Sequence, residues 1–169
     1  VSVAMRKVGG VGASPYNALR LLEQDELVAV FPEGAKGAGK PFRERYRLQR
    51  FGRGGFVEIA LRTGAPIVPV AVVGSEEIYP KVAEAPALAR LIGAPYFPLT
   101  PTFPLLGPLG VVPLPSKWRI EFGEPIDTAR FGPEAAEDRS FVFELSEQVR
   151  AAIQNRVYAN LVERGSAFL

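Results

Sequence analysis

A glutamate followed by a glycine-flanked lysine stands out among the residues able to do chemistry, in the run Phe31, Pro32, Glu33, Gly34, Ala35, Lys36, Gly37. The Glu33 carboxylate can hold hydroxyl groups, the glycines bare backbone N–H groups, and Lys36 can meet an anion, so the run suits a ligand that carries both. Leu27 to Phe31 (LVAVF), directly before it, is a continuous apolar run of strand length. In open α/β sheets ligands bind beyond the C-terminal ends of strands, which favours a site here. The plain alternative is a strand-exit turn with a solvated glutamate.

A basic run follows. Lys40 to Arg53 (KPFRERYRLQRFGR) sets Lys40, Arg43, Arg45, Arg47, Arg50 and Arg53 against Glu44, with Phe42, Tyr46 and Phe51 interleaved. Such a run suits phosphate groups, an acidic protein or an anionic membrane surface. Single-stranded nucleic acid fits the same local pattern, as does a solvated charged loop. The net charge of the whole chain is only +2, which gives nucleic acid no global support, so none is expected as a partner.

Gly34 to Lys40 (GAKGAGK) also has the G-x-x-x-x-G-K spacing of a phosphate-binding P-loop. The next residue is Pro41, where that loop needs a serine or threonine for magnesium, and no helix with free N–H groups begins there. Nucleotide hydrolysis is set aside on that mismatch.

Histidine and cysteine are both absent, which removes the commonest general base, the cysteine nucleophile and the usual transition-metal ligands. No metal site is legible. The chain starts at Val1 without an initiator methionine, signal or transit peptide, and the expectation is that residues upstream have been cut away. Hydrophobic residues at 47% and charged residues at 22% are ordinary globular usage, and 169 residues suit one domain.

The elements that must position these groups read as follows. Val1 to Val8 suits a short strand, and Ser14 with Pro15 reads as an N-cap and first helical position for a helix to about Gln24. Phe56, Ile59, Ala60 and Leu61 mark a helix stopped by Gly64. Pro66 to Val73 (PIVPVAVV) is a second β-rich run, in which Pro69 implies an edge, a bulge or a strand end. Two strands around a helix suggest a βαβ unit, hence a mixed, largely parallel sheet flanked by helices. Lys117 to Phe122 alternates like a strand, and a long amphipathic C-terminal helix is expected from about Pro133 to Arg164.

Leu91 to Ser116 contains no charged residue, yet its seven prolines, Pro95, Pro98, Pro101, Pro104, Pro108, Pro113 and Pro115, forbid a membrane-spanning helix. It reads as an apolar, proline-stiffened loop. Either it packs as a long connection, or it dips into a lipid leaflet with Phe97, Phe103, Leu105 and Leu106 as anchors.

FPEGAKG resembles the third motif, usually FPEGTRS, of the lysophospholipid and glycerolipid acyltransferase superfamily, and Val68, Pro69, Val70 and Ala71 match its later V-P-V-A motif at the right separation. Lys7 to Ser14 (KVGGVGAS) occupies the place of its second motif. The similarity covers Val8 to Pro125, one acyltransferase domain over residues 1–169 with its N-terminal part missing. It implies transfer of a fatty acyl group from acyl-CoA or acyl carrier protein to a glycerolipid hydroxyl, with no cofactor. It also implies that Phe31, Pro32, Glu33, Gly34 and Ala35 line the acceptor pocket, that Lys36 faces a phosphate or head group, and that Pro69 shapes the acyl-donor side.

In that family a histidine and an aspartate in an H-x-x-x-x-D motif supply the base and its orienting carboxylate, and this sequence has no histidine for that role. The acceptor type resembles the 1-acylglycerol-3-phosphate branch. Ala35 and Lys36, in place of threonine and arginine, point towards the mono- and diacylglycerol branch. Lys40, Arg43, Arg45 and Arg47 would then meet coenzyme A phosphates, carrier protein or membrane, at the cytoplasmic face, attached peripherally or monotopically. A non-catalytic lipid- or carrier-binding module of the same fold is the alternative.

Overall fold

The computed structural model describes residues 3–91, 93 and 97–168. In chain order the regular elements are α1 (Val3–Lys7), α2 (Pro15–Leu22), α3 (Gly34–Ala38), α4 (Gly55–Thr63), β1 (Val70–Val73), β2 (Ala83–Glu84), α5 (Pro86–Leu91), β3 (Pro98–Leu99), β4 (Arg119–Phe122) and α6 (Arg139–Arg164). The class is mixed α/β. The chain divides into two units, residues 1–32, 51–68 and 124–148 in the first and 33–50, 69–123 and 149–169 in the second.

In the first unit α2 begins as its sequence dictates: the Ser14 hydroxyl accepts the Asn17 N–H at 3.2 Å and Pro15 takes the first turn. α4 ends at Gly64, whose φ of +67° closes the helix in the left-handed region. At its other end Gly54 has φ +78°, and a β-carbon there would sit 2.9 Å from Val142 Cγ1, so only glycine fits. The core of this unit joins Val57 and Leu61 of α4 to Ala136, Val142 and Leu145, with Phe56, Ile67, Ile126, Phe131 and Phe141 around them. Asp138 caps α6, its Oδ1 accepting the N–H groups of Ser140 (2.9 Å) and Phe141 (3.1 Å).

In the second unit β1 and β4 pair antiparallel, with Val70 opposite Phe122 and Val73 opposite Arg119. Ala71 and Val73 pack on Val157, Ile153 and Leu161 of α6 and on Tyr46. The buried Pro69 lies just before β1 and its carbonyl accepts the Gly123 N–H at 2.7 Å, so the proline marks a strand start. β2 and β3 form a second short antiparallel ribbon.

Several expectations are corrected here. Both ladders are antiparallel, and no parallel pair exists among the described residues, so the βαβ unit and largely parallel sheet do not form. Leu27 to Phe31 is not a buried strand: it has no regular secondary structure and no ladder partner among the described residues, with Leu27 99% and Phe31 85% exposed. A strand persists only when its N–H and C=O groups are paired, and none of the described residues pairs with this run. Residues 3–7 are helical where a strand was expected. The stretch from Leu91 to Ser116 contains β3 and a 3-10 turn at Gly107–Val111; Pro95 lies outside the described residues.

Candidate functional site

The second unit builds the site on residues 33–50. Gly34, with φ +57°, turns the chain into α3, and Glu33 folds its side chain back over that turn. A β-carbon on Gly37 would lie 2.6 Å from Glu33 Cβ and 3.0 Å from its Cδ, so glycine at 37 is what lets the carboxylate lie there. Glu33 Oε2 then accepts the Gln49 N–H at 2.6 Å and lies 3.6 Å from Lys40 Nζ.

Lys40 is the hub of the loop. Its ammonium sits 2.8 Å from Glu76 Oε1, donates to the Arg47 carbonyl at 2.7 Å, and is largely buried. The other Glu76 oxygen accepts the Tyr46 N–H at 2.6 Å. These charge-assisted bonds fix both arms of the basic segment against the residues that follow β1. Gln154 of α6 adds two more, accepting from the Leu48 N–H (2.8 Å) and donating to the Tyr46 carbonyl (2.7 Å).

Behind Tyr46 lies a buried ionic cluster. The Tyr46 hydroxyl donates to Glu77 Oε1, and Arg164 Nη2 reaches the same oxygen at 2.6 Å and the Tyr46 hydroxyl at 3.0 Å. The Glu77 side chain is 0% exposed and that of Arg164 is 4% exposed. Burial alone would lower the Arg164 pKa, but the bonds to Glu77 and Tyr46 and their negative potential outweigh it, and the net direction is upward.

A cavity of about 340 Å³ opens beside α3, lined by Ala35, Lys36, Gly39, Lys40, Pro41, Glu44, Gln49 and Glu84. Lys81, itself buried, donates to the Gly39 carbonyl and pairs with Glu84 at 3.3 Å on the rim. Lys36 is exposed at this opening, with no ion-pair partner among the described residues.

The structure thus sorts the sequence candidates. Ala35 and Lys36 line the cavity; Glu33 and Gly34 are not among its lining residues, although Glu33 contacts two that are, Gln49 and Lys40, and Pro69, bonded to Gly123 just before β1, is not among them either. Phe31 is exposed and Pro32 partly buried. Among the basic residues Lys40 is committed internally, and Arg45 stacks over the rings of Phe42 (4.3 Å) and Tyr46 (5.0 Å). Arg43 Nε lies 3.8 Å from Glu44 Oε1, its one ion pair among the described residues, and Arg47 is exposed. Glu76, Glu77, Gln154 and Arg164 escaped sequence reasoning, although two adjacent acids just after an apolar strand are a signal.

Comparison with known proteins bears on this same region. The family described as Acyltransferase matches residues 6–73. An uncharacterized protein of Mycobacterium tuberculosis (strain H37Rv) is 58% identical over 168 residues, covering 99% of this chain and 47% of that protein. One of Mycobacterium leprae is also 58% identical, over 99% of this chain and 46% of its own length. The chain therefore spans about half the length of these relatives. Phytyl ester synthase 2, chloroplastic, of Arabidopsis thaliana is 28% identical over 94% of this chain and 25% of its own. No solved structure shows a significant match. The likeness first read from FPEGAKG and VPVA thus has independent support: residues 6–73, which hold Glu33, Lys36 and β1, are similar to the family described as Acyltransferase.

Proposed function

We propose that this chain forms the acceptor-holding part of an enzyme that moves a fatty acyl group from acyl-CoA or acyl carrier protein to a hydroxyl of a glycerolipid. The acceptor oxygen attacks the thioester carbonyl, the C–S bond breaks, the thiol leaves, and the hydroxyl proton passes to a base. That base is a histidine outside these 169 residues, which contain none. Glu33 is held by Gln49 and Lys40 through Oε2, and among the described residues nothing donates to its Oε1, which is free to accept from an acceptor hydroxyl. Lys36 at the cavity mouth meets the head group, and Arg43 and Arg47 meet the donor's phosphates or an anionic surface.

One observation carries this reading: the match to the family described as Acyltransferase falls on the segment where a carboxylate is fixed to two cavity-lining residues, Gln49 and Lys40, and where Lys36 at the cavity edge has no ion-pair partner among the described residues. The phytyl ester synthases extend the acceptor range worth testing from glycerolipids to long-chain alcohols. Attachment is peripheral or monotopic, at the cytoplasmic face of a membrane. Leu105, 83% exposed, with Leu106 and Leu109, offers apolar contact, and no helix among the described residues is long and apolar enough to cross a bilayer.

The test is thiol release from acyl-CoA and acyl carrier protein by a polypeptide of the mycobacterial relatives' length, against mono- and diacylglycerol, lysophosphatidate, glycerol 3-phosphate and a long-chain alcohol. Acceptor-dependent thiol release with ester formation supports the proposal. Lipid binding without thiol release by any pair replaces it with a non-catalytic lipid- or carrier-binding module.

A further inference from the structure

The β1–β4 ribbon has two faces, and only one of them is covered. Residues directly opposite in an antiparallel pair share a face, so Ala71 with Glu121 and Val73 with Arg119 form one side. That side meets α6: Asn160 donates to Glu121, Arg156 pairs with Glu121, and Arg119 pairs with Glu163. The other side carries Val70 with Phe122 and Val72 with Ile120. Phe122 is 72% and Ile120 is 53% exposed, and Trp118, two residues before Ile120, is also exposed. This side carries no charge, because the two charged residues of β4 both turn towards α6.

We propose that this face is the docking surface for an amphipathic helix supplied in cis by a longer polypeptide, from the half that its mycobacterial relatives possess and these 169 residues do not span. A strand that is apolar at every position, such as VAVV, belongs in a sheet covered on both sides. α6 already covers one side as a helix, and a helical layer on the other completes the α/β arrangement.

Size selects the occupant. Two strands of four residues, at a rise of about 3.3 Å and a spacing of about 4.8 Å, give a face ~13 Å long and ~10 Å wide. A stable contact between separate molecules buries about 800 Å² on each partner. The ribbon is far too small to hold a second copy, whereas a segment of the same chain comes at a high effective concentration and needs no such area. The relatives provide the chain length for it, since the match covers 47% of the Mycobacterium tuberculosis protein.

This inference does not depend on the acyltransferase reading, and its test reads accessibility instead of activity. Cysteine is absent from this sequence, so Ile120→Cys and Phe122→Cys each introduce a single labelled position here. Each is placed in the 169-residue chain and in a chimera in which this sequence replaces the matched half of the Mycobacterium tuberculosis relative. Maleimide labelling at that position is followed by peptide mass, with urea-unfolded protein as the reference. Labelling close to the unfolded rate is expected in the short chain, and slowing of at least tenfold in the chimera while it elutes as a monomer. Equal rates in both chains overturn the proposal. So does protection that grows with protein concentration, which assigns the face to a second copy.

A stability measurement covers the case in which cysteine disturbs the ribbon. The pair Ile120→Thr and Phe122→Thr places β-branched residues that suit a strand at both positions. It should leave the thermal midpoint of the short chain within about 2 °C and lower that of the chimera by several degrees more. Equal shifts overturn the inference.

Discussion

The side chain of Glu33 lies so close over Gly37 that a β-carbon at residue 37 would stand 2.6 Å from the Glu33 β-carbon. Two residues of one short motif are thereby matched: the glycine gives up its side chain so that the glutamate can fold back and hold the Gln49 N–H.

Gly37→Ala should therefore push Glu33 off Gln49. The overpacking itself costs about 1–3 kcal/mol, and urea unfolding should show a loss in that range. Unchanged stability would mean that Glu33 does not occupy this position in solution.

Glu33→Ala should loosen the segment from Gly34 to Gln49 without unfolding the protein, since Lys40 keeps Glu76 at 2.8 Å as a partner. Trypsin should cut at the exposed Lys36 and Arg43 several-fold faster, with the far-ultraviolet circular dichroism retained. Glu33→Gln keeps an acceptor oxygen for Gln49 and should fall between the two.

The buried Glu77 and Arg164 hold the end of α6 to Tyr46. Arg164→Met leaves a buried carboxylate unpaired and should cost about 3–5 kcal/mol, while the double change with Glu77→Leu should recover much of it. The sign of any pH effect follows from the raised Arg164 pKa. A cation with a raised folded-state pKa stabilises fully below its unfolded value and loses that contribution only as pH rises through the folded one. Both values lie far above neutrality, so the Arg164 contribution should be the same at pH 6 and pH 9. Chemical unfolding at the two values checks this.

Much of this arrangement is legible in the residues. Ser14 with Pro15, Gly64 after Thr63 and the apolar spacing of α6 fixed three helices because capping and periodicity are local properties. Pro69 left an edge, a bulge or a strand end open, and it lies just before the start of β1. Leu27 to Phe31 misled because an apolar run states that burial is wanted but not which strand provides it. The basic run was visible, yet its division into an internal Lys40 and exposed Arg43 and Arg47 depends on Glu76 and Glu33, far apart in sequence. Glu77 and Arg164 were invisible for the same reason, being 87 residues apart.

The expected lipid anchors also divide on inspection. Phe97 and Phe103 pack on each other with ring centroids 5.4 Å apart, whereas Leu105 and Leu106 are exposed. Leu105→Asp with Leu106→Asp should release the protein from vesicles containing anionic lipid and leave its stability near that of the parent. Co-sedimentation that is unaffected by the change would remove these leucines from the membrane contact.

The central claim is that the Glu33 and Lys36 segment holds the acceptor during acyl transfer. It is tested most directly by acceptor-dependent thiol release in a polypeptide of the relatives' length, comparing the parent with Lys36→Met at the exposed cavity edge. The account predicts a rise of at least tenfold in KM for a phosphate-bearing acceptor such as lysophosphatidate, with KM for the acyl thioester unchanged. Identical KM values for the acceptor in the two proteins would contradict it.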